Sequence, residues 1–446
     1  MTSALENLRR EFGGDIIEPG TPDYESASGS FLVPGNPAHV LRPESVADVR
    51  AAVRFAGEAH LPLSVRGGGH AFSGFATNDG GVVIDLRGLS AVEVVDADRH
   101  LVRIGGGATW GQVADALAPH GLAISSGDTR SVGVGGLTLS GGIGWKVRKH
   151  GLALDALVAA EVVTAAGDLV RASADENPDL FWALRGGGGN FGVVTAFEFA
   201  AHPTTDIHYG KITFPAAELP SVLHGWADYL RTAPAEITSV INFANPFAGG
   251  PEAPVEVFVA FDGDDAESAA AAIDPIRKLG TVTSDDIALK PYRETLVDGM
   301  APPPGIRLVT RSAFVENESV PDVLEILTEI GSAAGAPYFS VRSVGAAVSR
   351  VPDDATAYAH RRAELLVVTT NVGPAPVLEA GRPALAAIWA RLTPHAGGAY
   401  ANFLTTATDE DVAAVYPADT RKRLAEVKRQ CDPANLFARN HNIRPE

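Results

Sequence analysis

Cysteine is almost missing from this sequence: Cys431 is the single one in 446 residues. One cysteine makes no internal disulfide, and no Cys/His cluster with zinc-finger spacing accompanies it, so no metal site is expected. Basic residues are also short, 36 Lys and Arg against 54 Asp and Glu, for a formal net charge of −18. A surface this acidic excludes a reader of the phosphate backbone, which needs Lys and Arg clusters, and argues against anionic membranes. No apolar run reaches about 18 residues, so no membrane span is expected. The first twenty residues hold no basic segment followed by an apolar one, so no secretory leader is read, and a soluble cytoplasmic protein is the expectation. Disorder is excluded in turn, because 46% of residues are hydrophobic and only 20% charged.

The abundant residue is glycine, 47 of 446, against an average of roughly 7%. It concentrates at 67–69, 105–107, 133–144 and 186–192. Glycine is needed where backbone takes positive φ or approaches a ligand closely, so the front half is expected to wrap a large ligand. The same half alternates strands and helices. Residues 40–42 read as a strand, and Ser45 as an N-cap with Asp48 three residues on. Val46, Val49, Val53 and Ala56 follow at helical spacing, and 61–65 and 82–86 are extended. Residues 92–95 and 101–104 form one hairpin and 161–164 and 169–172 another; Trp110, Val113 and Leu117 mark a helix ending near Gly121, and 193–199 is a final strand. After His202-Pro203 the glycine clusters stop. β-rich stretches (255–261, 365–370) then alternate with Ala-rich helices (266–279, 320–335), which reads as a second, α+β domain.

Three motifs carry the chemistry. Arg66-Gly67-Gly68-Gly69-His70 follows a strand, and consecutive N–H groups in such a turn make an anion-binding nest suited to a pyrophosphate. A plain glycine turn with an ordinary surface histidine is the competing reading. The run from Ser131 to Trp145 holds six glycines in what reads as a loop, so its backbone is expected to pass close to something flat or phosphorylated, or else to cross a strand tightly. Gly187 to Gly192 matches G-x-G-x-x-G, but a helix precedes it and the strand-like Val193 to Phe197 follows. A nicotinamide-binding turn needs the reverse order, so that reading is rejected.

The runs VRGGGHAFSGFATNDGGVVIDL, VGVGGLTLSGGIGWKVRKHGLALD, PDLFWALRGGGGNFGVVT and CDPANLFARNHNI, in that order, resemble the FAD-linked oxidases of the vanillyl-alcohol-oxidase superfamily. The nearest branch is the berberine-bridge-enzyme-like group. The resemblance implies an α+β, two-domain fold: an FAD-binding PCMH-type domain over 36–206, a separate α+β substrate domain over 207–395, and a C-terminal segment, 396–446, that returns to the FAD domain. It implies FAD, attached by a single covalent 8α-histidyl link at His70. Arg66, Gly67, Gly68, Gly69, Ser73 and Gly74 would line the pyrophosphate. Gly135, Gly136, Ser140, Gly141 and Gly144 would lie along the isoalloxazine and ribityl. Val163, Gly192 and Val193 would reach the adenine side, and Asn440 and Asn442 would close over the flavin.

Two departures from the family matter. Where some relatives carry a second, cysteinyl link, this chain has Thr129. Where plant-type members end Tyr-x-Asn-Tyr on the catalytic base, this chain has Tyr400-Ala401-Asn402-Phe403. Tyr400 is the remaining catalytic candidate, facing the flavin or packing; Asn402 would lie near the cofactor. By the same resemblance Val132 would border the flavin face where O2 arrives, which favours an oxidase. His360-Arg361-Arg362 resembles a His-Arg pair of the substrate domain, and otherwise reads as a solvated basic turn. Tyr338, Phe339 and Tyr358 are pocket aromatics or core. The expected activity is hydride transfer from a small alcohol, amine or secondary-metabolite intermediate to covalent flavin, with O2 reoxidising it to give H2O2. The expected partners are then a small-molecule substrate and O2, without nucleic acid or membrane, with a homodimer as the prior for its assembly. A flavin-containing drug-binding protein with little turnover is the alternative.

Overall fold

The computed structural model describes residues 2–299, 303 and 305–445. Near the N-terminus, strand Val82–Asp85 pairs in parallel with His39–Arg42 on one side and Leu63–Arg66 on the other, and Asp15–Ile17 closes the edge antiparallel to His39–Arg42. Parallel strands need a crossover, and helix Val46–Glu58 supplies the one from His39–Arg42 to Leu63–Arg66, which flank Val82–Asp85. The helix starts where the sequence says it should: Ser45 Oγ accepts the Asp48 N–H while the Asp48 carboxylate accepts the Ser45 N–H. Val49, Ala52, Val53 and Ala56 then pack on Leu41, Val82 and Ile84, all fully buried. Burying each of the larger side chains contributes about 1.5–3 kcal/mol.

A second, antiparallel sheet has the order Val92–Asp96, Leu101–Gly105, Val193–Ala200, Leu157–Val163, Leu169–Ser173. Both expected hairpins are in it. Its central strand follows the glycine turn 186–192 directly, so the G-x-G-x-x-G match opens a strand and not a helix. One expectation fails here: 131–145 is not all loop, because Val134–Ser140 forms a helix that carries Gly135 and Gly136. Neither glycine takes positive φ, so nothing in their backbone opposes helix.

The remaining large sheet is antiparallel throughout, in the order Ser284–Asp285, Ile207–Phe214, Val255–Phe261, Ile237–Phe243, Tyr338–Ser343, Ala363–Pro374, Ile306–Glu316. Alternation sorts its faces. Ile212, Ile241, Val257, Phe339, Val341 and Val367 pack under helices Leu219–Thr232, Ala266–Arg277, Val320–Gly331 and Ala375–Leu392. The opposite face, with Val240, Arg342 and Leu366 side by side, turns toward the glycine-rich half, where Leu366 joins Ile143, Leu152 and Tyr400. The chain then returns: in helix Ala418–Cys431, Leu424 and Val427 bury in the same core as Phe181 and Leu184. Among the described residues no helix is long and apolar enough to cross a membrane.

Candidate active site

Against strand Leu63–Arg66 of the first sheet and strand Val193–Ala200 of the second lies a cavity with about 1650 Å³ of space, part of it open to solvent. Its walls come from the turn after strand Leu63–Arg66, the loop 127–133, helix Val134–Ser140, the glycine turn 188–192, residues 400–403 and the tail 439–441.

Gly67, Gly68, Gly69, His70 and Ser73 line one end. Gly68 sits back to back with Gly133, where a Cβ would come within 2.2 Å of the Gly133 nitrogen, so the first two glycine motifs are one packed unit. The His70 ring stacks on Phe31, centroids 4.0 Å apart. Its Nε2 is buried without a hydrogen-bond partner, and burial pulls the imidazole down to about 4, so it is neutral at pH 7. Arg66 does not line this end, contrary to expectation. It is 3% exposed, and its guanidinium donates to the carbonyls of Ala76, Ala27 and Ser28 and faces Asp85 at 3.7 Å. It braces the turn from behind.

At the other end Tyr400 lines the cavity, and every polar atom of it is fixed. Its backbone N–H donates to Ser312 Oγ, which in turn donates to its carbonyl. Its phenol oxygen accepts the Gly142 N–H and the Asn402 Nδ2–H, both at 2.9 Å. Burial pushes the phenol above its ordinary range, and those two bonds oppose the rise without reversing it. Phe403 lies 6.2 Å from Phe72, both on the cavity wall. Arg342, from the large sheet, stacks over Phe403 at 5.2 Å and donates to Asp128 Oδ2 at 2.8 Å. Burial would raise Asp128, but Arg342 outweighs it and holds the carboxyl below the usual carboxylate range.

Thr129, Val132, Gly135, Gly136, Ser140, Gly192, Asn402 and Asn440 also border the cavity. The other expected residues do not. Gly74 (φ +74°) turns beside Val33. Gly141 (φ +144°) makes room for Tyr400, whose Cε2 would be 2.9 Å from a Cβ there. Gly144 packs on the Ser126 carbonyl. Val163 and Val193 are cross-strand partners in the core behind, and strand alternation turns Val194 to the cavity instead. Asn442 lies outside the wall, its Oδ1 buried without a partner.

Sequence reasoning missed Phe31, Phe72, Asp128, Gly188, Gly189, Tyr416, Arg439 and His441. For the tail a signal existed in the third glycine cluster. Asn190 holds the His441 carbonyl and the Ile443 N–H, and Asn440 donates to the Gly189 carbonyl. The basic turn is also corrected: His360 and Arg361 are buried, and Arg361 makes two bonds of 2.9 Å to Asp155. Of the candidate aromatics, Phe339 is core under the helices and Tyr358 is buried beside Tyr400; Tyr338, on the open face of the large sheet, is half-buried and not on the cavity wall.

The walls fit FAD. A Cβ at Gly136 or Gly189 would meet nothing within 4 Å, so both open onto free space, and His70 Nε2 and Asn440 Oδ1 are buried polar atoms without a protein partner. Comparison with known proteins agrees. The profile of an FAD binding domain matches residues 37–173, and that of a berberine and berberine like domain matches 399–444. (R)-6-hydroxynicotine oxidase of Paenarthrobacter nicotinovorans is 31% identical over 97% of both chains. The crystal structure of 6-hydroxy-D-nicotine oxidase from Arthrobacter nicotinovorans superposes with a TM-score of 0.85 at 30% identity, covering 98% of each chain. Glucooligosaccharide oxidase from Acremonium strictum, described with a 6-S-cysteinyl, 8α-N1-histidyl FAD, superposes at 0.88 with 25% identity over 100% of this chain and 99% of that one. Full-length similarity at this level, with both domain profiles in order around one cavity, makes the chain a member of the berberine-bridge-enzyme-like family of FAD-dependent oxidoreductases.

Proposed function

We propose that this chain is an oxidase that carries FAD on one covalent bond from His70 and passes a hydride from a small substrate to it, with O2 as the final acceptor and H2O2 as the by-product. The observation that carries the reading is His70 itself: a neutral imidazole on the cavity wall, clamped by Phe31, with an unpartnered ring nitrogen. A neutral nitrogen is the nucleophile that attachment to the flavin methyl requires. The flavin, when bound, supplies the two-electron chemistry. The chain supplies the rest. The turn Gly67–Gly69 receives the pyrophosphate, Gly136 leaves room beside the rings, and Asn440 ties the tail across the site. A second link of the glucooligosaccharide oxidase kind has no residue to form it. Thr129 stands on the wall, and Cys431 lies outside the cavity, its thiol pushed up to about 11 by burial.

Tyr400 is the proposed catalytic residue. Both partners of its oxygen can only donate, so its own proton is left to point into the cavity toward whatever is bound. The Leu137 carbonyl beside the same Asn402 nitrogen supports that amide orientation. Acid denaturation followed by intact mass tests the cofactor. A yellow pellet and a chain heavier by one FAD are expected, and His70→Ala loses both. A colourless pellet with an unmodified chain mass overturns the covalent bond.

A further inference from the structure

His70 is held from three sides. Its ring stacks on Phe31, whose N–H donates to the Gly69 carbonyl at 3.1 Å. Behind it runs the loop 127–133. A Cβ on Gly68 would come within 2.7 Å of the Ser131 carbonyl oxygen, so Ser131 is packed against the turn that presents the histidine. The third side comes from far along the chain. Val297 donates to the Asp128 carbonyl at 2.9 Å and accepts the Arg130 N–H at 2.8 Å, and this pairing brings Gly299 to the ring. A Cβ on Gly299 would meet Ser131 Oγ at 2.6 Å, His70 Cε1 at 3.1 Å and Phe31 Cζ at 3.3 Å. Phe31, His70 and Ser131 therefore converge on one point, and glycine is the residue that leaves it free.

Two polar atoms beside this point are buried without a hydrogen-bond partner, His70 Nε2 and Ser131 Oγ. Buried groups left unmade are costly, so two together call for a role. Ser131 does not line the cavity, so nothing bound there serves its hydroxyl. His70 does line the cavity; with Nε2 enclosed, Nδ1 is the nitrogen left to face it.

Attachment joins a ring nitrogen to the flavin 8α-methyl carbon. One C–H bond of that methyl and the imidazole N–H bond break. The two electrons stay on the flavin until O2 takes them, with the two protons, as H2O2. For Nδ1 to bond through its lone pair, the ring proton has to sit on Nε2. Once the bond has formed, Nε2 gives that proton up and ends as an acceptor. The group beside Nε2 must accept from it at the start and donate to it at the end. A carbonyl only accepts and an amide N–H only donates, whereas a hydroxyl does both by turning. We propose that Ser131 is the positioning residue for flavin attachment: its hydroxyl receives the Nε2–H while Nδ1 bonds to the cofactor, and Gly299 keeps the place of that hydroxyl open. This deepens the covalent-flavin reading and rests on it.

The test is the covalent fraction of the full chain purified with its flavin, read by acid precipitation and intact mass at once and again after standing in air. The parent is expected to be heavier by one FAD throughout. Ser131→Ala is expected to stay yellow but release its flavin into the acid supernatant, the adduct forming more slowly by about 10²–10⁴-fold, the usual worth of a positioned proton-transfer group. Ser131→Thr should restore the adduct and Ser131→Val, of the same shape without the hydroxyl, should not. Gly299→Ala, whose Cβ displaces the hydroxyl, should lower the covalent fraction with Ser131 intact. A Ser131→Ala chain as covalent as the parent overturns the proposal. So do equal adducts in the Thr and Val variants, and so does a Ser131→Ala chain with no flavin in either fraction, which would make the hydroxyl part of cofactor binding. Each of these leaves the covalent reading standing, because the parent still carries its adduct; a parent that releases its flavin in acid ends that reading and the proposal with it.

Discussion

Arg361 carries the largest single-residue consequence outside the cavity. It is 1% exposed, both its Nη atoms meet Asp155 at 2.9 Å, and one also donates to Thr356. Asp155 in turn accepts the Leu152 N–H. Truncating one partner of such a pair strands a buried charge, which costs about 3–5 kcal/mol. Arg361→Ala is therefore expected to lower the thermal midpoint markedly, while Arg362→Ala, at an exposed residue, leaves it in place; equal midpoints in calorimetry would contradict the pairing. The sequence hid this because Asp155 is 206 residues away, and three adjacent basic residues look like surface. Arg66 was hidden for the same reason: its carbonyl partners come from 27–28 and 76, so charge next to a glycine turn suggested a phosphate when the charge serves the chain itself. That His70, Ser73, Thr129 and Val132 stand on the cavity wall agrees with what the family resemblance implied, and that resemblance is carried by continuous runs of sequence that need no tertiary partner to be recognised.

Among the elements, helix Val134–Ser140 is where sequence and structure diverge most usefully. Six glycines around it suggested loop, yet small residues on a helix face do a different job: they keep side chains out of the space the helix borders. Gly136 shows this, with nothing within 4 Å of a Cβ built on it and cavity in front of it. Gly136→Leu should thus preserve the fold, since a helical leucine is favoured over glycine by about 1 kcal/mol, and yet lose flavin because the side chain fills the cofactor's place. Circular dichroism unchanged from the parent, with the flavin absorbance gone, is the expected pair of readings. A yellow variant would mean that this face does not border the rings. Gly141 is the contrasting case: a Cβ there strikes the Tyr400 ring, so its glycine serves the wall and not the space. The hairpins and the capped helix Val46–Glu58 were legible because their signals are local: alternation, turn residues and an N-cap pair. Which face of a glycine-rich helix meets the cavity depends on packing that no local signal encodes.

At the scale of the whole molecule, the large sheet is joined to the glycine-rich half by a charged seam. Asp262, 4% exposed, accepts from Lys146 and from His150 Nε2, and Lys149 donates to its carbonyl. The His150 ring stacks on His202, centroids 4.2 Å apart, and His202 Nε2 is buried without a partner. Burial opposes the Asp262 charge, but His150 and Lys146 outweigh it and hold the carboxyl far below the usual range. Its contribution is complete above about pH 4, the unfolded carboxylate value, and is lost only as pH falls toward the depressed folded value. His202 acts earlier and with the same sign. Burial first, then His150 and Lys146, pull it down to about 4. The unfolded imidazole takes a proton near pH 6.5, whereas the folded one refuses it until about 4, so stability drains away between those two values. Each such histidine contributes a slope of about 1.4 kcal/mol per pH unit, and His39, His360 and His441, all lowered by burial, steepen the same limb. Denaturant midpoints should be level above pH 7 and fall steadily from pH 6 to pH 4.5, before any carboxylate of the seam titrates. His202→Asn should make that fall shallower by one proton, and an unchanged slope in this variant would place the acid sensitivity elsewhere than the seam.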